Sequence, residues 1–390
     1  NPVVRVRGVG TVNNTNPIYV VDGVIVDDIS FLSASDIASV ELLKDASATA
    51  IYGSRGANGV FMVTTKSGGA EKSRISFSTE YGIQQVRNKL DLLNGEEFAR
   101  ALNDISSGSI NNPDAVANVD WQDQIFRDID LSGKNNPIVQ NYNLSVAGGS
   151  EDLSYYFSGG LHDNAGIIPK SNYRRINVKL NTEYQARDFL KIGTNLSAAY
   201  INDDHAPNVV GTAYRAWPID EPYDDQGNFA EVQGNGNPLA TIEYTNNTTK
   251  SYRLVSNMFA EFNFLKDFTF KTSYQMDLNT RRNRNFTPEF QVSAVQQNPR
   301  SSLSRSFTEN ISWIFENTLT YDKEFGDHNL NVLAGYTAQQ NDFESPNVTA
   351  YRFIREDPLF WYLNAATSDT IRAGSNEYTT SMLSYLFRTN

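Results

Sequence analysis

From about Arg74 onward, apolar residues fall on every second position. Ile75, Phe77, Thr79, Tyr81 and Ile83 alternate with Ser76, Ser78, Glu80, Gly82 and Gln84. Tyr142, Leu144 and Val146 alternate with Asn141, Asn143 and Ser145. Ile176, Val178, Leu180 and Tyr184 alternate with Arg175, Asn177, Lys179, Asn181 and Glu183. Phe268, Phe270, Tyr274, Met276 and Leu278 alternate with Thr269, Lys271, Ser273, Gln275 and Asp277. A period of two puts successive side chains on opposite faces, so each run predicts a strand with one apolar and one polar face. Similar runs at 153–162, 189–202, 250–265, 304–322, 329–342 and 377–390 bring the expected total to about ten strands.

Alternation alone also suits a soluble sandwich. Three features favour a membrane wall. Several runs exceed the five or six residues usual in globular strands and suit the nine to eleven needed to cross a bilayer at a tilt. The apolar face ends in aromatic residues, Tyr142, Tyr184, Tyr200, Tyr252 and Phe268 among them, as in the girdles at membrane interfaces. The connections also alternate in length. Long ones at 87–139, 203–249, 281–302 and 343–376, with a shorter one at 162–173, are interleaved with short ones at 149–152, 186–188, 266–267 and 323–327. Up-and-down membrane barrels keep this parity, with short periplasmic turns and long outer loops. Lys179 is expected on the lumen face, tolerant of replacement, beside lipid-facing Val178 and Leu180.

The stretch from Asn16 to Lys66 follows a different pattern. Short β-rich runs (Ile18–Val21, Val24–Val26, Val60–Thr65) alternate with glycine turns and one Ala/Ser-rich stretch, Ala46–Tyr52. This predicts a small α+β unit over residues 1–69, ahead of strands that occupy 74–390. Val4-Arg5-Val6-Arg7-Gly8, Asn16-Pro17-Ile18-Tyr19-Val20-Val21-Asp22-Gly23, Asp36-Ile37 and the block from Val40 to Val60 resemble the plug domain of TonB-dependent outer-membrane transporters, in the SusC/RagA branch. That last block contains Lys44, Asp45, Tyr52, Gly53, Arg55, Gly56, Asn58 and Gly59. The resemblance extends to Leu92–Phe98, Asp120–Asp123, Gly166–Ile168 and Tyr173–Asn177.

The resemblance implies an antiparallel up-and-down transmembrane β-barrel of 22 strands around an α+β plug, in the outer membrane of a Gram-negative bacterium. It implies energy-dependent import of a bulky nutrient, an oligosaccharide or a peptide. Its partners would be TonB on the periplasmic side and a SusD-like surface lipoprotein on the other. About ten strands enclose too little space for a plug, and a last strand without a neighbour is not tolerated in lipid. The chain is therefore expected to be part of a longer protein that begins before Asn1 and continues beyond Asn390. A passive porin or a structural, adhesive barrel is the competing reading, and the plug argues against it.

No run approaches the 18 apolar residues of a membrane-spanning helix. The 390 residues contain no cysteine, so neither disulfides nor thiolate metal sites arise. The net charge of −12 argues against nucleic acid as a partner, since phosphate binding needs clustered Lys and Arg. His162, His205 and His328 lie in separate segments, which disfavours a catalytic triad or a multi-histidine metal site. No catalytic set, metal site or cofactor is expected. Asp224, Gln226 and Asn228 read as a hairpin tip rather than a calcium loop, since Gly227 is misplaced for the latter.

Within the first long loop, Asn94 and Glu97 form a capping-box pattern for a helix carrying Phe98, Leu102 and Ile105. A second helix is expected over Asp120–Ile129. The loop aromatics Tyr214, Trp217, Tyr223, Trp361 and Tyr362 are candidates for substrate contact. Arg55, between two glycines, reads equally as a solvated turn arginine or as an ion-pair partner for the wall. A 69-residue unit buries little surface, so the plug is expected to lean on the inner wall. The wall offers Arg175, Lys179, Glu183, Lys271 and Asp277; the plug offers Arg5, Arg7, Asp22, Glu41, Lys44, Asp45 and Arg55. Contacts between the two sets are expected to be hydrated and individually weak.

Overall fold

The computed structural model describes residues 16–45, 56–106, 108–127, 129, 136–326, 328–367 and 371–389. The Val4–Gly8 motif and the whole Ala/Ser-rich stretch, Ala46–Tyr52, lie outside the described residues. The plug begins with β1 (Ile18–Val21), β2 (Val24–Val26), β3 (Ile37–Leu43) and β4 (Val60–Thr65). They form one mixed sheet in the order β2-β1-β4-β3, with β1 parallel to β4 and the other pairs antiparallel. Asp22 and Gly23 join β1 to β2 as a two-residue turn with φ of 48° and 91°. Positive φ at both central positions is the geometry that matches strand twist, and Asp-Gly is its favoured sequence. Val21, Val24, Val26, Phe31, Leu32 and Val63 bury their side chains together with Ala199 and Val255 of the wall. The wall thus completes the core of the plug.

The wall follows as β5 (Arg74–Ile83), β6 (Ile138–Gly149), β7 (Leu153–Ala165), β8 (Asn172–Arg187), β9 (Leu190–Asp204), β10 (Asn246–Phe264) and β11 (Phe268–Thr287). Two short strands, β12 (Phe290–Gln291) and β13 (Gln297–Asn298), pair only with each other. β14 (Ser302–Phe325), β15 (His328–Glu344), β16 (Asn347–Tyr351), β17 (Arg372–Gly374) and β18 (Glu377–Thr389) complete the described strands. The ten long strands β5–β11, β14, β15 and β18 pair antiparallel, each with the next along the chain. This is an up-and-down meander, and it carries the two faces read from the alternation. Ile75 is 71 % exposed and Phe77 65 %, whereas inward Asn177 and Lys179 are buried against the plug.

Some boundaries differ from the alternation. β11 runs on to Thr287, so the connection there spans only 288–301. Its last part, Arg281–Asn285, is polar on both faces, yet strand pairing is made by backbone and continues. The connection 343–376 contains β16 and β17, and β16 pairs with the start of β14. The helix Gly95–Ile105 has the expected capping box, with Asn94 and Glu97 each accepting from the other's backbone N–H. The second helix stops at Ile125, short of Ile129. There Arg127 donates its N–H to Ile167 O, which draws the backbone away from the helix.

Register sets depth as well as face. On β10 the outward face runs from Tyr252, beside Tyr200, to Phe264, beside Phe268. Met258 stands midway and is 53 % exposed. In the full-length protein, Met258→Arg should therefore cost about 2–4 kcal/mol on refolding into bilayers, and Thr280→Arg, level with Tyr252, about 0–1 kcal/mol. Equal costs in a denaturant titration would contradict the assignment of this face to lipid.

Candidate functional site

Where the plug meets the wall, carboxylates are held at three places, with Asp28 at the third still 39 % exposed. The Asp22–Gly23 turn points into β8 and β10. Asp22 Oδ1 accepts from Thr65 N at 2.9 Å. Asp22 Oδ2 accepts from Thr65 Oγ1 at 2.7 Å and from Lys179 Nζ at 2.6 Å. The Asp22 and Lys179 side chains are 8 % and 2 % exposed. Asn181 Nδ2 donates to Thr65 Oγ1 and to Lys66 O, both at 2.7 Å. Asn257 Nδ2 donates to Asp22 O at 3.0 Å. A Cβ on Gly23 would stand 3.3 Å from that same nitrogen. Glycine here thus serves the turn and the close approach of the wall together.

Asp36 is the second. It ends a short 3₁₀ turn (Ala34–Asp36) and is 1 % exposed. Its Oδ1 accepts from Tyr156 OH at 2.8 Å and Ser158 Oγ at 2.6 Å, and its Oδ2 from Asn177 Nδ2 at 3.4 Å. The third centres on Arg253. Its Nε and Nη2 fork onto Asp277 at 3.0 and 2.8 Å, and its Nη1 donates to Asp28 Oδ2 at 2.8 Å. The same guanidinium lies 4.7 Å from the Phe31 ring centroid. Burial pushes the Asp28 carboxyl up, but hydrogen bonds from Ser30 and the charge of Arg253 outweigh it and hold the group below its ordinary value. A depressed carboxylate stabilises above its ordinary pKa and loses that contribution as pH falls through the depressed value. The Asp28 carboxylate therefore stays ionised at neutral pH and loses its pairing with Arg253 only in acid. Beside it, Arg175 Nη1 donates to Ser30 O at 2.6 Å.

The expectation of hydrated, weak contacts is corrected here. Because the inner face of the wall is packed on the plug, the Asp22–Lys179 pair is dry, and Asp28, 39 % exposed, meets a buried Arg253 at the margin of the joint. Lys179 is also not a tolerant neighbour of Val178, since it neutralises a buried charge. Of the expected wall charges, Arg175 and Lys179 meet the plug directly and Asp277 acts through Arg253. Glu183 instead approaches Lys191 at 3.9 Å, and Lys271 lies over the Phe259 ring. On the plug, Asp22 and Gly23 are in the site. Glu41, Lys44 and Asp45 are exposed. Gly56, Asn58 and Gly59 shape the entry to β4, where Gly59 has φ of 97° and its O accepts from Ile18 N at 3.2 Å. Arg5, Arg7, Tyr52, Gly53 and Arg55 lie outside the described residues. Asp36 was quoted from sequence only as part of the plug resemblance, and Asp28, Asn181, Arg253 and Asn257 were not given a role in the joint. The inward parity of Arg253 and Asn257 on β10 was the available signal.

The loop aromatics divide. Trp217 packs on Phe98, with centroids 5.3 Å apart, and its O accepts from Trp121 Nε1 at 2.9 Å. Tyr214 is half-buried beside Ala213, which belongs to a core shared by loops 87–139, 162–173 and 203–249. Trp361 stacks on Phe286 at 4.5 Å. Tyr223 and Tyr362 are 47 % and 48 % exposed. Asp224 accepts from the N–H groups of Gln226 and Asn228 at 2.9 and 2.8 Å, which makes it the hairpin tip expected from sequence.

Removing one partner of a buried pair leaves the other charge unsolvated, at a cost of about 3–5 kcal/mol. Lys179→Met in the full-length protein should therefore loosen the plug by that amount, read by hydrogen exchange of β1 and β4. Combining it with Asp22→Asn should restore a large part of the loss. A Lys179→Met protein with unchanged exchange would show that this pair does not dock the plug.

A family model described as the TonB-dependent Receptor Plug Domain matches residues 1–60. TonB-dependent receptor P3 of Formosa agariphila is 31 % identical over 99 % of this chain and 39 % of its own length. TonB-dependent receptor SusC of Bacteroides thetaiotaomicron is 30 % identical over 69 % of this chain and 30 % of its own length. Among solved structures, the RagAB peptide importer in its closed-closed state superposes with a TM-score of 0.82 at 22 % identity, over 99 % of this chain and 48 % of that one. The chain thus spans about two fifths of the first of these curated relatives.

Proposed function

This chain belongs to the TonB-dependent receptors of the SusC/RagA type, a family of outer-membrane transporters rather than enzymes, and we propose from that premise that it carries the gate of a nutrient importer. The gate is the plug, residues 1–69, held against the wall formed by 74–390. The observation that carries this reading is the charged interface, dry at Asp22–Lys179 and partly exposed at Asp28 of the Asp28–Arg253–Asp277 contact. Such contacts hold firmly while water is excluded. Once water enters, each separated ion regains its hydration, so the opened state is far less unfavourable than for an apolar interface of equal area. A pull by TonB from the periplasm supplies the work that begins the separation. A passive porin has no use for a docked domain of this kind.

The substrate is a bulky nutrient, an oligosaccharide or a peptide. The structural relative named a peptide importer supports the second, and the SusC/RagA resemblance admits both. A SusD-like lipoprotein would close the outer end, where the connections 87–139, 203–249, 288–301 and 343–376 lie. Exposed Tyr223 and Tyr362, with Tyr214, Trp217 and Trp361 shaping the loops behind them, offer ring faces to sugars or to peptide side chains.

The test is deletion of the plug from the full-length protein. A large, voltage-insensitive conductance should appear in planar bilayers, and energised uptake in cells should vanish. A plugless barrel that conducts no better than the intact protein would overturn the gate.

A further inference from the structure

A second charged cluster stands on the opposite side of the wall. Pairing registers fix its height. Tyr252 pairs with Tyr200 on one side and with Thr280 on the other. This row tops the outward apolar face, and Leu254, Leu278 and Ile311 lie just below it. At the short-turn end, Phe264, Phe268 and Tyr321 form the opposite aromatic row. The twelve positions from Tyr252 to Phe264, at about 3.3 Å each and a tilt near 40°, span roughly 30 Å, the thickness of a hydrocarbon core.

Just above the Tyr252 row, Lys250 pairs with Arg282, and Arg282 with Phe307. Two positions farther on, Arg284 pairs with Arg305, and Arg305 with Val348. Lys250, Arg282 and Arg284 share the parity of Tyr252 and Leu278, and Arg305 that of Ile311, so all four face outward, away from the lumen. They line a cavity of about 890 Å³, together with Phe307 and Asn347, and no carboxylate lines it. Glu309, opposite Thr280 in the girdle row, is outside the lining. Among the described residues none of the four cations is in an ion pair.

The guanidiniums are already positioned. Arg282 lies 5.9 Å from the Tyr252 ring and 5.8 Å from that of Phe307. Arg284 lies 5.2 Å from the Trp361 ring, and Arg305 Nη2 donates to Trp361 O at 2.6 Å. Like charges directly across a strand pair are destabilising, and Arg284 opposite Arg305 bears that cost unless an anion lies between them. The nearest carboxylate in the same outward row, Asp204, is one strand away, accepts from Thr248 Oγ1 at 2.8 Å and stands outside the lining.

We propose that this cavity binds the phosphate-bearing headgroup of an outer-leaflet lipid. The height is that of headgroup phosphates, about 5–10 Å beyond the aromatic row by the same rise and tilt. The face excludes the alternative of a transported anion, which would pass on the other side of the wall. Arginine forks match phosphate oxygens in pairs. Bound lipid would tie the packed loop cluster of Phe286, Leu303, Ala350 and Phe353 to the membrane surface. The outer-leaflet assignment rests on the reading above that the long loops face outward.

Native mass spectrometry of the full-length protein in detergent tests it, with dioleoyl phosphatidic acid, dioleoyl phosphatidylcholine and a soluble sulfated oligosaccharide as probes. Phosphatidic acid should be retained about tenfold better than phosphatidylcholine, the worth of one or two charge-assisted bonds. Arg284→Gln with Arg305→Gln should abolish that preference, and Arg281→Gln, the inward neighbour, should leave it intact. Equal retention of the two lipids, an equal loss in Arg281→Gln, or displacement of the lipid by the oligosaccharide would overturn the proposal. Binding in detergent is independent of orientation, so labelling of intact cells separates the two readings. Val295→Cys should react with an impermeant maleimide, and Asp188→Cys only after the membrane is breached. The reverse labelling would refute the outer leaflet and the outward loops while leaving the phosphate preference standing.

Discussion

The constraint on which the rest depends is the need to give Asp22 and Asp36 hydrogen-bonding partners away from water, with a cation for Asp22. A buried carboxylate without partners would not remain ionised, so the wall must present donors at fixed heights. Antiparallel pairing does this. Lys179 and Asn181 on β8 and Asn257 on β10 reach the Asp22–Gly23 turn and Thr65, while Tyr156, Ser158 and Asn177 close around Asp36. One register slip in β8 would turn Lys179 toward lipid and Val178 toward Asp22. The plug and the wall are therefore specified together. The shared apolar cluster of Val21, Phe31 and Val63 with Ala199 and Val255 adds area to the same joint.

The same period of two lets each strand serve two solvents. Outward positions are apolar between two aromatic rows, and inward positions are polar and packed on the plug. Beyond the upper row the strands continue with charged outward residues, so the sheet outlives its apolar band. This overrun supports the loop cores built on Phe286 and on Trp121. It also places Lys250, Arg282, Arg284 and Arg305 at the membrane surface.

Much of this was legible in the sequence. Alternation gave the ten long strands and their faces, Asp22-Gly23 gave the hairpin turn, and Asn94 with Glu97 gave the capped helix. Local chemistry determines each of these. The overrun of β11 was not legible, because Arg281–Asn285 pairs through backbone without an apolar face to mark it. Nor was the dryness of the plug contact. Lys179 reads as an ordinary lumen-facing lysine until a partner 157 positions away is brought against it. The roles of Asp36 and Arg253 were missed for the same reason, since they arise from pairing across the plug boundary. Trp217 and Trp361, candidates for substrate contact, also pack against Phe98 and Phe286, partners that are brought to them only by the fold.

The central claim is that import requires the plug to part from the wall at this dry joint. A reducible tether across it is the most direct measurement. Ser30 and Arg175 meet at the edge of the joint, and residues 1–390 contain no cysteine, so only cysteines elsewhere in the full-length protein need replacing by serine. Ser30→Cys and Arg175→Cys in the full-length protein, joined by a short disulfide-forming linker, should leave surface binding of substrate intact and stop energised uptake. Dithiothreitol should restore it. Uptake by the tethered protein at the untethered rate would contradict the account.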